Sequence, residues 1–204
     1  MPYQFGYTVN GTHRFSCTLK RGRCQHRTKL GRPCRRTQYM GFDACHQHIE
    51  SKQAMRVAPS TIQGAGKGVF AVLVGDKRAD ERADDKRTIV FKKNQRIMEY
   101  KGERVNSKEL DVRYGDSTAP YALLLNHKRG AVIDAACKRG IAAFVNHRVN
   151  ANARFYVHKG VGYAKAIKDI YNGDEIFMNY GRDYILVEQG VAHYTRYTRK
   201  RPRK

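Results

Sequence analysis

The sequence predicts a mainly β fold with irregular loops and few short helices, preceded by a small module that a metal ion must staple. Three observations predict it. Short apolar runs recur from Met55 onward, each bounded by Gly or charged residues, which is the pattern of brief strands. Helical periodicity is sparse, and 107–114 is the one segment that reads as a short helix, capped by Ser107. Residues 17–50 hold four of the five cysteines in a strongly basic stretch with almost nothing apolar to form a core.

In chain order, residues 1–16 form an N-terminal extension, polar and aromatic without a clear period. The Cys/His module follows at 17–50. Strands are expected at 69–74, 96–100, 142–145, 154–157 and 175–179. The mixed-charge run 75–88 reads as a solvated loop insertion. The last nine residues, 196–204, are a basic tail suited to phosphate contact or nuclear import.

The chain has 204 residues with 40 Lys and Arg against 18 Asp and Glu, a formal charge of +22. Such a field attracts polyanions, and nucleic acid or a nucleosome surface is the obvious class of partner. The polar N-terminus carries no apolar signal segment, and no apolar run is long enough to span a bilayer. These features predict an intracellular protein without a membrane partner. In a reducing compartment an odd number of cysteines crowded among histidines points to metal rather than disulfides.

Cys24, Cys34, Cys45 and His48 follow the spacing C-x9-C-x10-C-x2-H. Zinc takes four borderline-soft ligands in a tetrahedron, and Cys3His is a usual structural set. The short C-x2-H step places two ligands on one side of the ion, and the long steps let loops supply the others. A closed set leaves no position for substrate, so the expected role is structural. His46 and His26 compete for the fourth place. Cys17 is an unassigned thiol that either replaces a ligand or stays free.

Four further segments occur in order: Ile62–Ala71 centred on Gly66-Lys67-Gly68; Ile97-Met-Glu-Tyr-Lys-Gly-Glu103; Ile133-Asp-Ala followed by Phe144-Val-Asn-His-Arg-Val-Asn-Ala-Asn-Ala153; and Ala166–Tyr184 with Asn179-Tyr180-Gly181. Over residues 55–186 they resemble the SET domain of protein lysine methyltransferases. The compact size and simple ends are most similar to the small SET proteins of large DNA viruses. The Cys/His segment resembles zinc modules found in proteins of such viruses. Residues 187–204 then form a C-terminal segment with the basic tail.

The resemblance implies the SET β-fold, S-adenosylmethionine as cofactor and a protein lysine as substrate, with a histone foremost. It also implies dimer contacts of the kind seen in small viral relatives. A host nucleus, viral factory or virion is the implied location. Gly66, Lys67 and Gly68 would lie against the cofactor, because glycine lets backbone approach closely. Asn146 and His147 would hold its two ends, and Tyr100 would contact both cofactor and lysine. Tyr180 matches the family's catalytic tyrosine. Tyr121, Phe155, Met178 and Tyr184 would line the lysine channel.

The chemistry gives these residues a reason. Methyl transfer needs the neutral amine, whereas free lysine, with a pKa of ~10.4, is protonated. An apolar channel lowers that pKa and fixes the line of attack. Two channel positions that set methyl number by resemblance, Phe155 and Met178, lack a hydroxyl, which predicts di- or trimethylation. Aromatic walls also attract methylated ammonium. Glu99, Glu103, Asp111 and Asp116 are expected to make the substrate groove acidic. The usual Asn-His-Ser-x-x-Pro-Asn appears as Asn146-His-Arg-Val-Asn-Ala-Asn152, and Asn94 stands where a left-handed turn usually has Gly. There is no Cys after 137, so the cysteine-rich cap that follows some SET domains has no counterpart in this sequence. The competing function is a basic, zinc-containing nucleic-acid- or chromatin-binding protein with an inactive SET domain.

Overall fold

The computed structural model describes residues 3–9, 12–19, 22–39, 42–74, 88–115, 119–126 and 130–181. The charged run 75–87, Asp116, Tyr184 and the basic tail lie outside them. Strands dominate. The chain runs β1 (Tyr3–Val9), β2 (Thr12–Leu19), α1 (His46–Gln53), β3 (Met55–Pro59), β4 (Lys67–Ala71), β5 (Ile89–Phe91), β6 (Arg96–Glu99), β7 (Glu103–Asn106), α2 (Ser107–Tyr114), β8 (Ala122–Asn126), β9 (Ala131–Asp134), β10 (Asn146–His147), β11 (Ala153–His158), β12 (Val161–Ala166), β13 (Ile170–Tyr171) and β14 (Glu175–Met178).

The principal sheet has the order β3-β4-β14-β11-β12-β6. Its centre is β14, buried at all four residues, antiparallel to β4 on one edge. Along the other edge run β10 and then β11, both parallel to it. A strand buried on both faces reads as an apolar run, here Ile176-Phe177-Met178. A three-stranded sheet, β7-β9-β8, stands beside the main one, and β13 pairs with β5. The left-handed turn expected before β6 is made by Asn94 at φ 72°.

Three local expectations change. The apolar run 142–145, expected as a strand, lies instead in and just after a 3-10 turn over Ile141–Phe144. Four apolar residues specify burial but not period. The cap of α2 is Asn106, not Ser107: its side chain accepts from the Glu109 N–H while Glu109 reaches back to the Asn106 N–H, a reciprocal capping box. Finally, 3–19 is a β hairpin rather than an aperiodic extension.

The hairpin is fastened to the domain. Phe5 meets Tyr121 edge-on at 5.5 Å, and Tyr7 and Phe15 pack on Tyr114. Cys17 is neither ligand nor free thiol but is bonded to Cys137, 120 residues away. Hairpin folding brings the two Cα atoms within 5.8 Å, a proximity that spacing alone cannot reveal. Closing so long a loop restricts the unfolded chain. Cys17→Ser should therefore lower the stability of the oxidised protein by about 2–4 kcal/mol and leave that of the reduced protein nearly unchanged. Denaturant titrations with and without a thiol reductant check this.

The Cys/His module shares its core with the main sheet: Phe42, Ala44, Cys45 and Ile49 are buried in one cluster with Met55, Val69 and Ile141. Phe42 packs edge-on against Phe144 at 5.4 Å, Lys101 pairs with Asp43 at 2.7 Å, and Lys67 donates to the Tyr39 hydroxyl at 2.9 Å.

Candidate active site and metal centre

The ligand atoms of Cys24, Cys34, Cys45 and His48 all lie within 4.8 Å of one another, and all four residues are buried. His48 Nδ1 stands 3.2 Å from Cys24 Sγ and 3.4 Å from Cys45 Sγ. Tetrahedral zinc with metal–ligand distances of about 2.0–2.3 Å sets its donors roughly 3.5–3.8 Å apart, so this donor set fits such an ion. Cys45 is the N-cap of α1, which turns His48 back toward it within one helical turn. His46 opens the helix with an exposed side chain, and His26 lies 5.2 Å from the His48 ring without entering the cluster. A backbone hydrogen bond from Arg36 holds the Cys34 thiol below its usual range despite burial, which favours thiolate. Burial pushes Cys45 up and His48 down, and a neutral imidazole is the form that binds metal.

The second constellation forms around β14. Gly66 adopts φ +71°, and an added Cβ there would meet nothing within 4 Å, so the turn opens onto free space. Gly68 has a different reason: a Cβ would fall 2.0 Å from Glu175 Oε1, so its missing side chain makes room for a carboxylate of the protein. The Lys67 side chain turns to Tyr39, while its carbonyl accepts from Asn146 Nδ2 at 3.0 Å. The same Nδ2 donates to Glu175 Oε1 at 3.1 Å. Both amide hydrogens are thus used within the protein, leaving Oδ1 as the side-chain acceptor.

Glu175 ties this corner together. It accepts from Ser60 Oγ at 2.8 Å, the Thr61 N–H at 2.7 Å and Thr61 Oγ1 at 2.6 Å, besides Asn146. Burial raises its pKa, but these donors outweigh burial and the net shift is downward. A depressed carboxylate contributes stability above its unfolded pKa and loses it as pH falls through the folded value. Glu175→Gln should cost about 1–3 kcal/mol near neutrality, because its amide N–H groups would face donors. The difference from the parent should shrink below about pH 4, as a thermal-melting series in pH checks. Asn152 is the companion clamp, donating to the Glu175 carbonyl and accepting from the Phe177 N–H, both at 2.8 Å.

His147 lies beside Met178 across β10 and β14, and its Nδ1 accepts from the Tyr180 N–H at 3.0 Å. With Nδ1 accepting, Nε2 is the ring nitrogen left to donate. The Tyr180 hydroxyl donates to the Val145 carbonyl. Tyr100 is buried, donates to the Tyr121 carbonyl at 2.8 Å and meets Phe155 edge-on at 5.1 Å. Burial, reinforced by Tyr180 and Asp134 nearby, pushes its pKa upward, so it stays a neutral phenol. Phe155 and Tyr121 are half-buried, whereas Met178 is sealed in β14.

Three features escape sequence reasoning. Glu175 and Asn152 lie inside the quoted motifs, but their partners are far away in the chain. Arg139 is 8% exposed, with its guanidinium over Tyr121 at 4.8 Å and near Phe5 and Phe144. The supposed acidic groove is partly neutralised, since Glu103 pairs with Arg113 at 2.8 Å and Arg113 also holds the buried Asp134.

A family model described as the SET domain matches residues 88–181, a span that begins after Gly66–Gly68. Histone-lysine N-methyltransferase EZH2 of Chaetomium thermophilum is 26% identical over 136 residues, covering 65% of this chain and 8% of that protein. An H3 lysine-36 specific histone-lysine N-methyltransferase of Candida glabrata is 30% identical over 152 residues, covering 70% of this chain and 19% of its own length. Among solved structures, an active polycomb repressive complex 2 in the stimulated state matches with a TM-score of 0.51 and 26% identity, over 64% of this chain and 15% of that one. The chain thus spans no more than 19% of the curated relatives it matches. It carries a SET domain over residues 88–181 and is related to histone-lysine methyltransferases.

Proposed function

We propose that this chain transfers methyl groups from S-adenosylmethionine to a lysine of a protein, a histone being the substrate, and reaches the di- or trimethyl state. The observation that carries the reading is the double anchoring of Tyr180, by its N–H on His147 and its hydroxyl on Val145, beside the Tyr100–Phe155 wall.

When bound, S-adenosylmethionine supplies an activated methyl on a cationic sulfur. Asn146 Oδ1 suits its ammonium, the open turn at Gly66 and the Lys67 backbone give it room, and the β10 strand edge at His147 suits its other end. Tyr180 uses its lone pairs to accept from the incoming amine and orient it. A phenol already donating to a carbonyl is an orienting group, not a base. Tyr100 and Phe155 exclude water and keep the amine neutral. Tyr121 borders this channel through the Tyr100 hydroxyl. Tyr184 lies outside the described residues, and we retain it as a channel residue on resemblance.

Phe155 carries no hydroxyl to crowd out a second methyl, and Met178, sealed in β14, is kept as a channel residue on resemblance alone. A Phe155→Tyr variant is expected to accumulate monomethyl product at the expense of higher states, read by mass spectrometry of the substrate. The Cys/His cluster binds structural Zn2+ in this reading. The small viral SET type and a homodimer belong to the same reading, as does a place near host or viral chromatin. No helix among the described residues is long and apolar enough to cross a membrane.

The test is incubation with radiolabelled S-adenosylmethionine and reconstituted nucleosomes, with free histones in parallel. Label on one histone, absent with Tyr180→Phe, is expected. Cofactor bound without label on any histone would move the substrate elsewhere. No cofactor binding would favour the inactive, nucleic-acid-binding alternative.

A further inference from the structure

We propose that the ribbon formed by residues 22–38 is a docking element for double-stranded DNA, with its cations on the phosphates and its tip in the major groove. This inference is independent of methyl transfer. The segment carries Arg23, Arg27, Lys29, Arg32, Arg35 and Arg36, and no Asp or Glu. All six cations are exposed, and none pairs with a carboxylate among the described residues.

The ribbon is ordered. Bridges join Arg23 to Thr37 and Arg27 to Pro33. Backbone bonds run from Cys24 N–H to the Arg36 carbonyl at 2.8 Å, Cys34 N–H to His26 at 2.9 Å and Thr28 N–H to Arg32 at 2.8 Å. Cys24 and Cys34 are buried in the cluster beneath. Arg23 stands opposite Thr37 and Arg27 opposite Pro33, so no carboxylate faces these cations across the ribbon. Six like charges on one short segment repel, so the fold gains nothing from them, whereas a polyanion offsets the repulsion.

The shape selects the partner. A B-form major groove, about 12 Å wide, admits a two-stranded ribbon, and the major groove of A-form RNA is too narrow for one. At the tip Leu30 is 81% exposed, an apolar group suited to thymine methyls.

The experiment uses the full, metal-loaded chain and a short DNA duplex, followed by fluorescence anisotropy across a salt series. In Lys29→Ala/Arg32→Ala/Arg35→Ala the Arg27 side chain, which donates to the Gly31 carbonyl at 2.8 Å and closes the tip, is kept. We expect binding about tenfold to a hundredfold weaker at moderate salt, and a slope of log affinity against log salt smaller by about 2–3. Lys92→Ala/Lys93→Ala/Lys168→Ala, which removes three exposed cations elsewhere, should keep the parental slope. Metal content verifies the fold, and a Gln version of the ribbon triple replaces the Ala version if metal is lost. Parental affinity in the ribbon variant, equal weakening by both triples, or equally tight binding of duplex RNA would each overturn the proposal.

Discussion

Tyr180→Phe is expected to slow methyl transfer by about a hundredfold or more while changing cofactor affinity by only a fewfold. Loss of one pre-oriented polar group at a reacting centre typically costs 10²–10³ in rate, roughly 2.7–4 kcal/mol. The hydroxyl bonds to the Val145 carbonyl and the backbone N–H to His147 Nδ1. Phe removes only the first bond, so the N–H contact that aligns the Asn146–His147 edge survives. The variant should therefore lose kcat and keep binding, as initial rates beside calorimetric cofactor titration would show. Equal loss of both would mean that the hydroxyl shapes the cradle rather than the reaction. Tyr100→Phe supplies a contrast. Its hydroxyl bonds to the Tyr121 carbonyl behind the wall, so removal should disturb the channel more than the methyl path.

Removing the proposed zinc, by chelation or by Cys45→Ala, is expected to unfold the module and to weaken cofactor binding at a distance. Structural zinc binding in small modules is worth about 10–16 kcal/mol, comparable with or greater than the 5–15 kcal/mol that holds a whole domain together. Besides its own bridges and backbone bonds, the segment 22–38 puts only Cys24 and Cys34 into the buried core. The damage should spread because Phe42 packs on Phe144, two residues before Asn146, and Tyr39 accepts from Lys67, whose carbonyl Asn146 grips. Hydrogen exchange should show lost protection in the module first and in β10 next. His46→Ala, which alters an exposed side chain outside the cluster, should keep its metal. A chelated protein that retained full protection and cofactor affinity would reduce the cluster to four buried side chains without a metal role.

What the sequence discloses follows from how local each signal is. The run Ile176-Phe177-Met178 reads as a buried strand because apolar continuity is a local property, and β14 is that strand. Cys45 and His48 announce a ligand pair because one helical turn fixes their spacing. Ile141–Phe144 is equally apolar yet is a 3-10 turn, since so short a run carries no period. The hairpin at 3–19 carried a usable signal, Asn10-Gly11 between two strands, which is a strong turn dipeptide. Glu175 is harder. A carboxylate at the start of an apolar strand looks like a solvated end, and only folding brings Ser60 and Thr61 to it across more than a hundred residues. The same distance hides the Cys17–Cys137 pair and the reason Gly68 must be glycine.

The central claim is that this chain moves methyl groups onto a histone lysine. The most direct measurement is mass spectrometry of histones from reconstituted nucleosomes incubated with the protein and S-adenosylmethionine. The account predicts stepwise mass gain on a single lysine up to the di- or trimethyl form, abolished by Tyr180→Phe. Unchanged mass on every lysine, under conditions in which the protein is folded and the cofactor is bound, would contradict it.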